Sequence, residues 1–515
     1  MEKEFEKFLR GIYKEYDCLV GMTQEKPCIC NFRYEDKAFD LLDMILRKGR
    51  LSQVAIHSDV DVDGIGSGYI MNKFLKHYGI KPKLMINKDK KHGITEKYVD
   101  TVNGMKLDLL IVLDSSSGKQ DILSKFNCPV LVIDHHNPTG ELRKENFTII
   151  NSVENYKETM SCGLVVYEFL RAYLAYRGEA EWIYEDKLYQ WAVVTLFTDV
   201  ITLDTKRNQF YLDRSICAID LEKNLKVILE TIHAYGETLS KSNINYSFAP
   251  LINRAIRAGD SAIALNLTIN EPENINKLMQ EKYTKLQEDS VLKAEKTYEY
   301  KTSTFIDMTG KGVSGAYNGI IASKVKDKYD KSAFVYSVVD GCALGSFRGR
   351  YPVNYYDAIN KYIEEKYPTQ GYYVGGHQGA FGYKLPANRL EEIAEVVYKE
   401  EQNISTKWLV TLGDDIEKGQ FHINVEDLDL FIRTHSIYEL ALMNAKLCSA
   451  EQVQIVLKNK QFPFKEEKTI TNKTIYRYDI YGIGCLGFTE LKSDYILLYP
   501  EWSISGLVVY AKELY

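Results

Sequence analysis

Apolar and polar positions alternate along this chain with two periods, and the changes between them outline its elements. The stretch 54–68, Val-Ala-Ile-His-Ser-Asp-Val-Asp-Val-Asp-Gly-Ile-Gly-Ser-Gly, opens as a short apolar run, Val54 to Ile56. It then sets His57, Asp59, Asp61 and Asp63 on alternate positions and passes through Gly64 into an apolar, helix-like segment, Tyr69 to Tyr78. Alternate residues on extended chain point to one side, so the pattern predicts that His57, Asp61 and Asp63 converge. Continuous apolar runs follow at Pro82 to Ile86, Leu109 to Leu113 and Pro129 to Ile133. The last two end in Asp114 and in Asp134-His135-His136. Runs of this kind, alternating with helical stretches, predict a parallel sheet buried on both faces. Thr95 is a candidate cap for a short helix through Val102. Ser161 to Tyr176 reads as an amphipathic helix, and Leu188 to Leu196 as an apolar one that delivers Asp199.

Outside this core the pattern changes character. Residues 1–50 read as two helices around a loop, with Phe5, Phe8 and Leu9, then Phe39, Leu41, Leu42, Ile45 and Leu46, at helical spacing. Lys48-Gly49-Arg50 is a stop signal. Residues 205–300 read as mostly helical, with one long helix over Asn274 to Thr297. A second α/β unit follows, with strands at Thr304 to Asp307 and Ala333 to Val339, a helix from Gly319 to Tyr329, and Gly-rich segments 341–350 and 371–382. Short alternating runs at Lys407 to Thr411, Thr474 to Tyr481, Tyr495 to Tyr499 and Ser505 to Tyr510 predict β structure. The expected organisation is therefore α/β: an N-terminal helical segment (1–50), a doubly wound parallel-sheet domain (51–204), a helical connector (205–300), a smaller α/β domain (301–399) and a C-terminal β-rich domain (400–515).

Composition narrows the class. The 515 residues are 45% hydrophobic and 26% charged, which suits a soluble multidomain protein. A net charge of −6 does not advertise nucleic-acid binding, so such a role needs a local basic groove. The nine cysteines are scattered, odd in number and free of paired CxxC motifs. Reduced thiols and a cytoplasmic location fit that usage. Cys28 and Cys30 form an isolated CxC, a weak metal signal. The opening MEKEFEKFLR has no apolar leader region, and no apolar run is long enough to span a membrane. The 38 tyrosines read as plain composition.

The chemistry concentrates at element ends: His57, Asp61 and Asp63; Asp114; Asp134, His135 and His136; Asp199. A solvated acidic turn is the competing reading of the first group. Three acids and a histidine within seven residues repel one another unless cations neutralise them. The donors are carboxylate or imidazole with no thiolate, which favours Mn²⁺ or Mg²⁺ over structural Zn²⁺. They are numerous enough for two ions sharing a bridging carboxylate, an arrangement suited to phosphoryl transfer.

The four segments HSDVDVDGIGSG, LLIVLDSSS, VLVIDHHNP and TLFTDVITL resemble the four motifs of the DHH phosphoesterase superfamily. The resemblance implies one ion on His57, Asp61 and bridging Asp114, and a second on Asp63, Asp114, His135 and Asp199. It implies that His136 faces the scissile phosphate and that Asp134 orients the histidines; Asp59 is left as an orienting or structural residue. Residues 247–259, SFAPLINRAIRAG, are similar to a segment of RecJ-type single-strand exonucleases, with Asn253 and Arg257 at its polar positions. Arg254 and Ile256 depart from that pattern, where the family has smaller residues. Gly345-Ser346-Phe347-Arg348 and Gly375-Gly376-His377 look like the two motifs of the DHH-associated domain, which implies substrate-phosphate contacts from Gly345, Ser346, Arg348, Gly375, Gly376 and His377. The small residues suit close approach of backbone amides to phosphate, and Arg257 and Arg348 suit forked bonds to it.

The implied activity is metal-dependent 5′-to-3′ exonucleolysis of single-stranded DNA to 5′-mononucleotides, in DNA repair, recombination or replication, with Mn²⁺ preferred and Mg²⁺ an alternative. Arg257, Arg348 and His136 would stabilise charge on the phosphate. Partners implied are single-stranded DNA and, as candidates, a helicase or single-strand-binding protein, with no membrane. The loop Lys88-Asp89-Lys90-Lys91-His92-Gly93 reads equally as a DNA-backbone contact or a solvated loop. The β-rich tail is compatible with an oligonucleotide-binding barrel. The rival readings are a short-oligoribonucleotide or cyclic-dinucleotide phosphodiesterase of the same superfamily, and a non-catalytic replisome scaffold.

Overall fold

A computed structural model describes residues 36–515, apart from 89–91, 137–140, 143, 200–202, 204, 217, 219, 298–304, 330–331, 350–354, 378, 403–408, 413–420, 424–453, 459–460, 469–473, 481–482, 488–489, 493–494, 504–505 and 515. The first of the two predicted N-terminal helices, the Cys28–Cys30 pair and the strand start at Lys407 lie outside the described residues. The chain contacts divide it into two compact units, residues 23–287 and a second containing 288–515.

The first unit opens with α1 (Asp36–Lys48), the second predicted N-terminal helix. The five strands β1 (Val54–Ser58), β2 (Lys83–Ile86), β3 (Leu109–Leu113), β4 (Val130–Asp134) and β5 (Phe147–Asn151) then form one sheet in the order β2-β1-β3-β4-β5. Every pairing is parallel. All residues of β1, β3, β4 and β5 are buried, as a parallel sheet covered on both faces requires. One face carries a core of Ala55, Leu110, Val112, Val130, Val132, Phe147 and Ile149 against Ile94, Val102 and Leu123. The expected doubly wound α/β domain is thus present, with β5 an addition that the sequence reading missed.

Three helices position the site: α2 (Val62–His77), α4 (Cys162–Tyr176) and α5 (Tyr189–Thr198), with the short α3 (Lys97–Gly104) between β2 and β3. Helix α2 starts at Val62 rather than Tyr69. Asp61 is its N-cap, with a carboxylate that accepts the Gly64 N–H at 2.9 Å, and Asp63 lies in its first turn. Acids are favoured at both places, so the alternating pattern there is the start of a helix, not extended chain. Thr95 does not cap α3; Glu96 precedes it in helical conformation without a side-chain cap. The connector continues with α6 (Lys206–Ile216), α7 (Lys223–Thr231), α8 (Ala249–Arg257) and α9 (Ser261–Ile269). The single long helix expected over 274–297 is instead a 3₁₀ segment, Pro272–Met279, and α10 (Glu281–Thr297). Extended Gln280 (ψ 138°) separates the two.

The second unit contains a five-stranded sheet, β6 (Phe305–Asp307), β7 (Ala333–Val339), β8 (Cys342–Arg348), β9 (Tyr373–His377) and β10 (Ala380–Pro386), in the order β6-β7-β8-β10-β9. Helices α11 (Asn318–Tyr329), α12 (Tyr355–Lys366) and α13 (Leu390–Gln402) accompany it. Its core joins Phe334, Phe347, Phe381 and Tyr383 to Ile359, Ile363 and Ile393. The two Gly-rich segments are therefore strands, β8 and the β9–β10 hairpin. The β-rich tail, β11 (Leu409–Leu412), β12 (Phe421–Ile423), β13 (Gln454–Lys458), β14 (Phe464–Lys468), β15 (Thr474–Ile480), β16 (Ile483–Gly487), β17 (Tyr495–Ser503) and β18 (Gly506–Leu514), forms one mixed sheet in the order β12-β11-β13-β17-β18-β16-β15-β14. That is larger than the five strands of an oligonucleotide-binding barrel. No described helix is long and apolar enough to cross a membrane, and Cys128, Cys162, Cys342 and Cys485 are free thiols.

Candidate metal centre

The strand order reverses between β1 and β3, and in such sheets ligands bind beyond the strand carboxyl ends at that point. Asp59 and Asp61 follow β1, Asp114 follows β3, and Asp134 ends β4 with His135 and His136 just beyond it. Asp114 takes a left-handed backbone, φ 64°, and its N–H donates to the Ile133 carbonyl at 2.9 Å. Aspartate accepts that conformation better than most side chains because its short polar group bonds locally. The turn buries the carboxylate beside β4 instead of letting it follow the strand.

Helix packing supplies the other side. Asp63 faces the start of α4, where its two oxygens accept the Cys162 and Gly163 N–H groups, each at 2.8 Å. A helix N-terminus holds an anion well because its first amides lack partners within the helix. The approach is close: a Cβ on Gly66 in α2 would lie 2.5 Å from Thr195 Cγ2 in α5, and one on Gly163 would run into Thr195 Oγ1. Thr195 also bonds Ser161 Oγ at 2.8 Å. Just beyond it α5 ends, and Asp199 projects from that end. Arg207 in α6 reaches Glu158 Oε2 at 3.1 Å, and Asn208 Nδ2 donates to the Thr159 carbonyl at 3.0 Å, so the chain leading into α4 is fixed from that side.

These elements meet at the buried ring of His135. Its Nε2 lies 3.3 Å from Asp114 Oδ1 and 3.9 Å from Asp63 Oδ2; its Nδ1 lies 3.4 Å from Asp199 Oδ2. Burial, then Asp199 and Asp61, push the Asp63 carboxyl well above the ordinary range. Burial, then Asp63 and Asp61, do the same to Asp114, and burial with Asp59 raises Asp61. Such a group ionises together only when a cation joins it. Asp114 Oδ1 is buried without a hydrogen bond. Oxygen and imidazole donors with an orphaned carboxylate oxygen fit a divalent cation of the Mn²⁺ or Mg²⁺ kind.

Among the described residues, three groups have donor atoms within 4.8 Å of one another: Asp63–His135–Asp199, Asp114–His135–His136 and Asp59–Asp61–His92. The residues expected on the second ion thus come together. His57 is in none of the three. It is fully buried on β1, edge-on to Tyr98 with ring centroids 5.1 Å apart, and burial pushes its pKa down to about 4. Asp134 Oδ1 accepts the His135 and His136 amides and His136 Nδ1–H, the last at 2.8 Å. That pairing outweighs burial, holds Asp134 below the usual carboxylate range and raises His136 to about 10. The sequence reading passed over His92 as a candidate in its own right. It counted only as part of a basic loop, although a histidine beside a glycine just past a strand end was a visible signal.

Asn253 and Arg257 share α8, both half-buried, and Arg257 Nη1 donates to Gln287 Oε1 at 3.2 Å. Arg254 reaches Thr284 Oγ1 at 3.1 Å and Ile256 is buried. In the second unit, strand register sets Ser346, Gly382 and Gly375 in one cross-strand row and Arg348, Ala380 and His377 in the next of the same parity. The two motifs of that domain thereby share cross-strand rows, with β10 between them. Gly345 and Gly376 are small for packing: a Cβ would meet Val335 O and Tyr383 Oη at the first, and Ala380 O at 2.7 Å at the second. Gly375 has open space instead. Arg348 Nη1 donates to the Phe347 carbonyl at 2.7 Å.

A five-stranded parallel sheet with acids and histidines gathered at its switch point makes a candidate divalent-metal centre. Residues 53–190 match the DHH family, N-terminal domain. The chain is 21% identical over 396 residues to the single-stranded-DNA-specific exonuclease RecJ of Escherichia coli strain K12, covering 69% of this chain and 67% of that protein. It is 22% identical to the protein of the same name from Salmonella typhimurium, covering 70% and 68%. Its fold is similar to that of RecJ from Thermus thermophilus crystallised with Mn²⁺, with a TM-score of 0.66, 16% identity, and coverage of 98% of this chain and 77% of that one. The chain is thus similar to the DHH family over its parallel-sheet domain and, more widely, to RecJ-type proteins.

Proposed function

We propose that this protein is a divalent-metal-dependent exonuclease that removes 5′-mononucleotides from single-stranded DNA. The observation that carries the reading is the convergence of Asp63, Asp114 and Asp199, delivered by three separate elements, on one buried imidazole. Asp61, Asp63, Asp114, His135 and Asp199, with His57 on β1, are the proposed holders of two ions, Mn²⁺ in preference to Mg²⁺. Such ions activate water and stabilise charge on both the attacking and leaving oxygens. The protein's own part is to fix the carboxylates through the α4 amides, to hold His136 as a cation toward the scissile phosphate through Asp134, and to bind the strand through Asn253 and Arg257. Gly345, Ser346, Arg348, Gly375, Gly376 and His377 are proposed phosphate contacts of the second unit. The similarity to RecJ-type proteins supports the choice of single-stranded DNA, and the polarity is what the resemblance of the sequence motifs implies.

The test is Mn²⁺-dependent digestion of long single-stranded DNA labelled at either end, beside duplex DNA and a dinucleotide RNA. Early release of mononucleotide from the 5′ label, with the duplex spared, is expected. Rapid cleavage of the dinucleotide alone would replace this reading with a short-oligonucleotide phosphodiesterase.

A further inference from the structure

Two buried carboxylates of the centre each hold a histidine on the solvent side. Asp134 Oδ1 accepts His136 Nδ1–H at 2.8 Å, and that ring is 41% exposed. Asp59 Oδ2 accepts His92 Nδ1–H at 2.5 Å, and that ring is 60% exposed. The second oxygen of Asp59 accepts the Gly93 N–H at 2.8 Å. Both oxygens of Asp59 are therefore engaged by N–H donors from one loop, which fixes the carboxylate against His92. A histidine that gives Nδ1–H to a carboxylate turns its Nε2 edge the opposite way, and the ionised partner favours the imidazolium form.

The loop that carries His92 is built to hold it there. Asn87 Nδ2 donates to the Gly93 carbonyl at 2.8 Å. Lys119 Nζ donates to the His92 carbonyl at 2.9 Å and the Ile94 carbonyl at 3.2 Å. Ser116 Oγ accepts the Ile94 N–H at 3.0 Å. Lys119 and Ser116 belong to the turn that follows Asp114, so the strand end bearing the central carboxylate also fixes the histidine. An ordinary surface ion pair contributes little and needs no such support. His92 stands within 4.8 Å of Asp61 and Asp59 donor atoms, and Asp59 feels the charge of both His92 and His136. The two pairs border one centre.

We propose that His92 is a second phosphate-contacting histidine of this centre, oriented by Asp59 as His136 is by Asp134, so that N–H groups from two loops bracket one phosphodiester. This rests on the hydrolase reading above. The Nε2–H would bond a non-bridging phosphate oxygen, a charge-assisted contact. Asp59 acts through His92 and is a positioning residue.

The experiment compares wild type, His92→Ala, His92→Arg and Asp59→Asn in full-length, Mn²⁺-loaded protein. Steady-state cleavage of oligothymidylate, thymidine 5′-monophosphate affinity, Mn²⁺ affinity and melting temperature are measured for each. Loss of one charged hydrogen bond predicts a fall of roughly tenfold in kcat/KM and in nucleotide affinity for His92→Ala. Mn²⁺ affinity and melting temperature stay at wild-type values, His92→Arg recovers part of the nucleotide affinity, and Asp59→Asn follows His92→Ala. Nucleotide affinity within twofold of wild type in His92→Ala overturns the proposal. So does a loss matched by an equal loss of Mn²⁺ affinity, which would make His92 a metal ligand. A wild type that cleaves no phosphodiester under any condition sinks the hydrolase reading instead, and the nucleotide affinities still decide the role of His92.

Discussion

Asp114 combines a backbone that few residues accept with a carboxylate that its neighbours repel. Its φ of 64° suits Asp and Asn, whereas alanine there adds strain of about 1–2 kcal/mol. Asp114→Asn is therefore the informative substitution, because it keeps the turn and removes the charge. The amide offers one neutral oxygen and cannot bridge two cations. Turnover is expected to fall to background while far-UV circular dichroism is unchanged. Without metal the variant should melt no lower than wild type, since the charge it removes is one that burial and Asp63 oppose. Retention of more than a few per cent of wild-type turnover would remove Asp114 from the bridging position. The same view of a single residue separates Gly345 from Gly375: one is small because β7 and Tyr383 leave no room, the other is small with open space beside it.

Between α2, α4 and α5 the distances leave no slack. A methyl on Gly163 would strike Thr195, so Gly163→Ala must push α4 away from α5 or turn the threonine. Overpacking of this kind costs about 1–3 kcal/mol. The Gly163 amide is also one of two that hold Asp63. The variant is expected to melt several degrees lower and to bind Mn²⁺ more weakly, and adding Thr195→Ala should restore part of both by calorimetry and titration. Strictly additive losses in the double variant would mean that the two residues do not collide. None of this contact was legible in the sequence, where Gly163 and Thr195 are far apart and look like ordinary helix residues. What was legible is what periodicity records: the apolar runs of β1 to β4, the acids at their ends, and the helix that delivers Asp199. The misreadings have local causes. Asp61 and Asp63 looked like strand residues because an N-cap and a first-turn acid happen to alternate. The β9–β10 hairpin was hidden because glycine weakens a strand signature, and the helix over 274–297 was overdrawn because polar periodicity does not register a break at Gln280.

At the scale of the whole molecule, the candidate metal donors found among the described residues belong to the unit of residues 23–287. The glycine-rich strands read as phosphate contacts belong to the other unit. Metal and nucleotide should therefore leave different footprints. An ion that binds only the folded state stabilises what it touches, by an amount set by its concentration relative to its dissociation constant. Hydrogen exchange followed by mass spectrometry, with Mn²⁺ against chelator, is expected to show new protection at Asp59–Gly66, Asp114–Ser117, Asp134–His136 and Cys162–Val165. The last segment is included because its amides hold Asp63, and relief of carboxylate repulsion should tighten that grip. Mn²⁺ alone should leave Cys342–Arg348 and Tyr373–Pro386 unchanged, and a non-hydrolysed phosphorothioate oligonucleotide should then protect them. Protection of the glycine-rich strands by Mn²⁺ alone would place the ion elsewhere. Protection by neither ligand would leave Arg348 and His377 as features of the sheet and restrict substrate binding to the unit that carries the metal.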